Sequence, residues 1–252
     1  MTSPPRWAVS CLSVASVLAA WELAPRAGLV DVTYLSQPSL IVRSGIGIIA
    51  TGALWRHAAV SLQEFFAGLL LALLIGVPGG LALGSSRRMR RFLDPPIMAL
   101  YAAPRLALLP VLVVWLGIGL ASKVAVVFIG AVLPIVINGA AGIREVEASL
   151  VLAARSLGAH RIDLFTKVLL PGSLPAVMAG VRLGVGRGIL GVVVGEMYVS
   201  QVGIGNQIMQ LGSSFQIDQL LFYTMVVSVF GLAATTTVRR LEERWRPWSR
   251  ER

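Results

Sequence analysis

The sequence predicts an all-α, polytopic membrane protein with about six transmembrane helices. Three observations carry this reading. The chain of 252 residues is 56% hydrophobic and only 13% charged, with a mean hydropathy of +0.79. A soluble domain must solvate its surface and rarely reaches that value. Several apolar runs also reach the roughly 20 residues that a helix needs to cross a hydrocarbon core of about 30 Å. Finally, arginine and lysine gather in alternate connecting segments, as they do in helical membrane proteins.

The expected spans are Trp7–Leu23, Ala58–Leu83, Ile97–Leu116, Ser122–Ala141, Gly180–Met197 and Leu220–Val238. The first follows Arg6, has no small-x-small cleavage site after it and precedes further spans, so it reads as an uncleaved signal anchor. The outer segment Val30–His57 contains Gln37-Pro38-Ser39-Leu40, which reads as a turn beside a short surface helix. The second span holds Glu64 and is expected to break near Pro78. Pro104 and Pro110 interrupt the third. Such breaks survive in a bilayer where neighbouring helices or water satisfy the freed carbonyls.

Charge orients the set. With the N-terminus inside, the cytoplasmic segments 1–6, 84–96, 142–179 and 239–252 hold fifteen Arg and Lys residues. The outer segments hold four, Arg26, Arg43, Arg56 and Lys123. Both termini are therefore expected in the cytoplasm. The same rule accounts for the net charge of +10 without nucleic acid. Glycines recur at fourfold spacing, at Gly76, Gly80 and Gly84 and again at Gly180, Gly184 and Gly188. Small residues let helices approach closely, within one chain or across a homodimer seam.

Catalytic and cofactor motifs are sparse. No Gly-x-x-x-x-Gly-Lys-Ser/Thr loop is present, so ATP is not bound by that route. Gly45-Ile-Gly47-Ile-Ile-Ala50 follows no strand and lies in an outer segment, which argues against a dinucleotide site. The lone cysteine, Cys11, excludes a disulfide framework within one chain. His57 and His160 are expected on opposite sides of the membrane and share no metal. Glu22, Glu64 and Glu196 are the acidic residues inside the expected spans, with no pairing visible from spacing. An enzyme is not expected.

One cytoplasmic block stands out. Leu150, Ala153, Ala154 and Leu157 fit one helical face; Gly158 sits where a helix end needs positive φ; Ile162, Phe165, Val168 and Leu169 begin a second helix that Pro171 closes. A helix–glycine–helix hook lying between two spans has no free recognition helix, so DNA binding is not expected. It reads as a docking element with small residues at its turn.

The block Leu152-Ala153-Ala154-Arg155-Ser156-Leu157-Gly158-Ala159, followed by Leu170-Pro171 and Pro175, resembles the signature loop of ABC importer permeases. That signature begins with an acidic residue; Leu152 stands there instead. The resemblance extends through Leu54-Trp55-Arg56-His57, Gly76-Val77-Pro78-Gly79-Gly80, the basic loop Ser86–Pro95, Leu108-Leu109-Pro110, Trp115–Gly119, Gly180-Val181-Arg182-Leu183, Glu196-Met197 and Gly203-Ile204-Gly205. Together these segments are similar to the nitrate/sulfonate/bicarbonate, taurine-type permeases.

The resemblance implies the type I importer permease (MetI-like) fold in a bacterial inner membrane. It divides the chain into an anchor and outer segment (1–53), a permease domain (54–240, coupling loop about 143–175) and a basic tail (241–252). It implies a second permease copy, two ABC ATPase subunits carrying ATP and Mg, and an extracytoplasmic solute-binding protein; this chain itself would bind no cofactor. Ala153, Ala154, Arg155, Gly158, Ala159, Arg161, Phe165 and Pro171 would form the ATPase-docking turn, with the two arginines meeting acidic groups. Glu64, Pro104, Arg105 and Glu196 are candidates for the translocation path. Arg105 reads either as an anion contact or as a side chain reaching the cytoplasmic interface. Glu64 is expected to pair with an arginine, and Glu196 to act as a gate or to sit at the interface.

Overall fold

The computed structural model describes residues 6–245 of the chain, and all regular structure among them is helical. The N-terminal part comprises α1 (Arg6–Arg26), α2 (Val32–Leu35) and α3 (Pro38–Ala50). The core follows as α4 (Ala53–Ser85), α5 (Arg87–Ala102), α6 (Leu109–Leu116) and α7 (Leu120–Glu145). A hook follows, of α8 (Ala148–Ser156) and α9 (Arg161–Leu164), and then α10 (Leu170–Val199), α11 (Ile204–Ser213) and α12 (Ile217–Trp245).

Among the described residues, four helical segments are long and apolar enough to cross a membrane: Ala53–Ser85, Leu120–Glu145, Arg161–Val199 and Ile217–Arg244. They contain the expected second, fourth, fifth and sixth spans. The first expected span falls inside α1, whose contacts are with α2 and α3. The third is divided. Its chain leaves α5 at Ala103, makes a 3-10 turn over Arg105–Leu108 and resumes as α6 with Pro110 in its first turn. Pro104 sets this break because the residue before a proline is driven to extended backbone, and Ala103 has φ −63° and ψ 143°.

Two sequence expectations need correction. α4 runs through Pro78 without interruption. Gly76 and Gly80 flank that proline and lie flush on α7, against Ile135 and Gly139, so the neighbour holds the helix on both sides of the weak point. The Gln37–Leu40 stretch is not a turn: Gln37 caps the N-terminus of α3, and Pro38 occupies the first helical position that proline favours.

α7 is the central helix, packed along its length on α4 and α10. Their shared core includes Phe65, Leu69, Val127, Ala131, Ile135 and Val185, each buried. The glycine rows are the contact surfaces of this core: a Cβ at Gly80 would meet the Val136 carbonyl at 2.8 Å, and one at Gly184 the Ala131 carbonyl at 3.0 Å. The fourfold spacing therefore serves packing within the chain. α12 lies on the outside of α10, α11 and α3, with Met225, Val229 and Leu232 exposed.

Candidate functional site: a buried clamp, an exposed hook and an arginine-lined cavity

Three places gather the functional candidates. The first is a buried polar clamp where the N-terminal half of α4, the start of α7 and the end of α10 meet α11. Glu64 is 1% exposed, Glu196 is fully buried and Lys123 is 7% exposed. The Lys123 ammonium forms an ion pair with Glu64 and donates to Ser200 Oγ at 3.0 Å. Lys123 is thus an interior partner rather than an outer-loop charge, and Glu64 pairs with a lysine instead of the expected arginine. Glu196 is enclosed by the chain itself. It accepts from the Ser61 hydroxyl at 2.6 Å and from the Gly205 N–H at 2.7 Å.

The loop between α10 and α11 is shaped by these bonds. Gly203 N–H donates to His57 Nδ1 at 3.1 Å and Ile204 N–H to Ser61 Oγ at 2.9 Å. The first N–H groups of a helix have no partner within it, so a carboxylate and a hydroxyl placed there satisfy them and complement the helix dipole. The glycines of Gly203-Ile204-Gly205 follow from crowding: a Cβ at Gly203 would fall on the Glu196 carboxyl, and one at Gly205 would lie 2.2 Å from the Val193 carbonyl. The clamp fastens α11 to α4 and α10 and ties α7 into the same point.

The second place is the hook. α8 ends at Ser156 and Gly158 adopts φ +81°. Gly158 N–H bonds the Arg155 carbonyl at 3.0 Å and Ala159 N–H the Ala154 carbonyl at 3.0 Å. This paired closure is the Schellman motif, which satisfies the last carbonyls of α8 and needs the left-handed residue that glycine supplies. α9 then passes through a π-turn at Phe165–Leu169 into α10, with Pro171 in the first turn of α10. Apolar side chains of the hook point outward. Leu152 is 62%, Leu157 89% and Ile162 78% exposed, while Leu164 is buried. Ala153, Arg155, Gly158 and Arg161 are exposed; Ala154, Ala159, Phe165 and Pro171 are half-buried. The hook therefore presents a greasy tip on a small-residue turn.

The third place is a cavity of about 260 Å³ beside the α5–α6 break, lined by Ala103, Pro104, Val126, Gly130, Leu190 and Gly191 together with Arg187. Arg187 was not singled out for this role from the sequence. Its Nη2 donates to the Tyr101 hydroxyl at 2.6 Å and its guanidinium stacks over the Tyr101 ring at 4.5 Å. Arg105 opens the adjoining 3-10 turn. Glu64 and Glu196 do not line this cavity; they belong to the clamp.

Against known proteins, the model of the binding-protein-dependent transport system inner membrane component matches residues 68–247. The chain belongs to this family. The permease is 31% identical to the taurine transport system permease protein TauC of Escherichia coli (strain K12) over 244 residues, 95% of this chain and 89% of TauC. It is 33% identical to the nitrate import permease protein NrtB of Leptolyngbya laminosa over 187 residues, 74% of this chain and 67% of NrtB. A chain of the inward-facing MetNI methionine ABC transporter superposes with a TM-score of 0.66 at 19% identity, covering 78% of this permease and 97% of that chain. That likeness establishes the fold. This permease is accordingly a membrane-spanning transport subunit of the ABC importer class.

The clamp was visible in the sequence as separate pieces, but the pairing of Glu64 with Lys123 crosses two helices and leaves no spacing signal. Ser61 and Ser200 gave none either. Arg187 lay within an expected span, and a charge inside a span is the signal that marks such a residue.

Proposed function

We propose that this permease moves a small anion of the sulfonate, taurine or nitrate kind inward, released to it by an extracytoplasmic binding protein and driven by ATP hydrolysis on a separate ATPase subunit. The observation that supports the reading is the hook. An 89%-exposed leucine beside a left-handed glycine, between two membrane helices, has no use for the chain alone and suits insertion into a partner's cleft. The similarity to TauC and NrtB, whose names specify taurine and nitrate, supports the substrate class.

In this scheme two permease copies face each other, both termini lie in the cytoplasm, and each hook seats on one ATPase subunit. Ala153, Ala154, Gly158 and Ala159 admit the partner's backbone closely; Leu152 and Leu157 supply apolar area; Arg155 and Arg161 meet acidic groups at the rim, where an exposed ion pair contributes only about 0–1 kcal/mol. Leu152 replaces the family's acidic residue, so apolar contact substitutes for a charge pair at that point. Closure of the ATPases on ATP moves the hooks, and the spans rock to expose the path alternately.

The test is reconstitution of the permease with its ATPase and binding protein in proteoliposomes. ATP-dependent uptake of labelled taurine, an alkanesulfonate or nitrate is the expected result. Gly158→Asp should abolish uptake while leaving membrane insertion intact. Uptake without ATP, or undiminished coupling in that variant, overturns the scheme.

A further inference from the structure

Arg187 sits deep in the bundle. It lies about 18 Å of helix from the outer end of α10, and Gly130 beside it about 15 Å from the start of α7, near the middle of a core about 30 Å thick. A charge at that depth is costly and pairs with an opposite charge unless a functional path requires it. Among the described residues, no carboxylate forms an ion pair with Arg187. Its nearest polar partner is the neutral Tyr101 hydroxyl.

The geometry fixes the guanidinium and leaves part of it unused. Stacking on the Tyr101 ring and the bond from Nη2 hold its plane. Nη1 is buried and has no hydrogen-bond partner. Two N–H donors on a fixed, positively charged fork are thus left without a partner in a residue that lines the cavity. The rest of that wall is apolar, from Pro104, Val126 and Leu190, and the space is open because positions 130 and 191 carry no side chain. The Arg187 carbonyl presses on Gly130, so a Cβ there would meet it at 3.2 Å.

We propose that Arg187 is an anion-binding residue of the translocation path, taking the oxygens of a small, singly charged oxyanion on Nη1 while Tyr101 positions the guanidinium. A sulfonate with a short apolar tail meets both parts of the wall. This inference rests on the reading of the chain as an anion importer, but it concerns one side chain and is tested separately from transport.

The experiment uses charge-selective thiol labelling of the assembled transporter in proteoliposomes. The native Cys11 is replaced (Cys11→Ser) and Leu190→Cys places the thiol on the cavity wall. The probes are sulfonatoethyl methanethiosulfonate, itself a sulfonate, and its trimethylammonium counterpart. The anionic reagent should react at least tenfold faster than the cationic one, relative to free thiol. Arg187→Gln should erase the preference, Arg187→Lys should retain most of it, and millimolar taurine or nitrate should slow labelling when Arg187 is present. An unchanged reagent ratio in Arg187→Gln overturns the proposal. Should Arg187→Gln fail to assemble, lack of protection by any of these oxyanions in the Arg187 protein overturns it equally. If instead the labelling behaves as expected but no uptake of these anions occurs, the transport reading fails and the anion site stands.

Discussion

The ammonium of Lys123 and the carboxylate of Glu64 form an ion pair inside the bundle, with the lysine side chain 8% and the glutamate 1% exposed. The pair joins α7 to α4 and, through Ser200, to the end of α10. Breaking such a pair from one side strands a charge and costs about 3–5 kcal/mol. Lys123→Met should therefore lower the melting temperature of the detergent-solubilised permease markedly. Adding Glu64→Leu should restore much of the loss. A single variant as stable as the parent would show that the pair is idle.

Glu196 holds the start of α11. Glu196→Ala removes the acceptor for the Ser61 hydroxyl and the Gly205 N–H, and each stranded buried donor costs about 1–3 kcal/mol. Hydrogen exchange should accelerate at the amides of residues 203–205 while the α4–α7 seam keeps its protection. Glu196→Gln retains a carbonyl acceptor and should lie between the two. Uniform exchange across all three proteins would contradict the clamp.

Two glycines should respond oppositely to the same methyl group. At Gly158 a Cβ meets nothing within 4 Å, so Gly158→Ala carries only the left-handed backbone cost of about 1–2 kcal/mol. At Gly205 the Cβ would lie 2.2 Å from a backbone carbonyl that cannot move aside alone. Gly205→Ala should dislodge α11 or lower expression of folded protein, and Gly158→Ala should express as the parent does. Size-exclusion profiles and thermal shifts distinguish them.

Leu157 touches solvent over 89% of its surface. Leu157→Ser should change the stability of the isolated permease by less than about 0.5 kcal/mol, the usual range for exposed sites. Co-purification with the ATPase subunit should fall sharply. A variant that keeps full ATPase association removes the greasy tip from the docking surface.

The sequence shows its long-range plan unevenly. Hydropathy identified the four long helices, because burial in lipid demands about 20 apolar residues whatever the neighbours are. Gly158 was legible because a left-handed helix end has a local chemical signature. Pro78 misled, since a proline breaks a helix only when nothing braces it, and the brace is α7, remote in sequence. On α8 the apolar periodicity reports a face that is to be covered but not which chain covers it. Glu64 and Glu196 were visible as costly charges and Lys123 was counted with the outer loops, yet their association depends on the register of three helices, which no spacing along one of them encodes.

The π-turn at Phe165–Leu169 has a further consequence. It makes a continuous helical rod of Arg161–Val199, 39 residues and roughly 58 Å long, with the hook at one end, Arg187 along it and Glu196 near the other. A rod of this kind cannot stretch, so a displacement imposed at the hook must reappear at the end that carries Glu196. The lever arm is built from a single secondary-structure element.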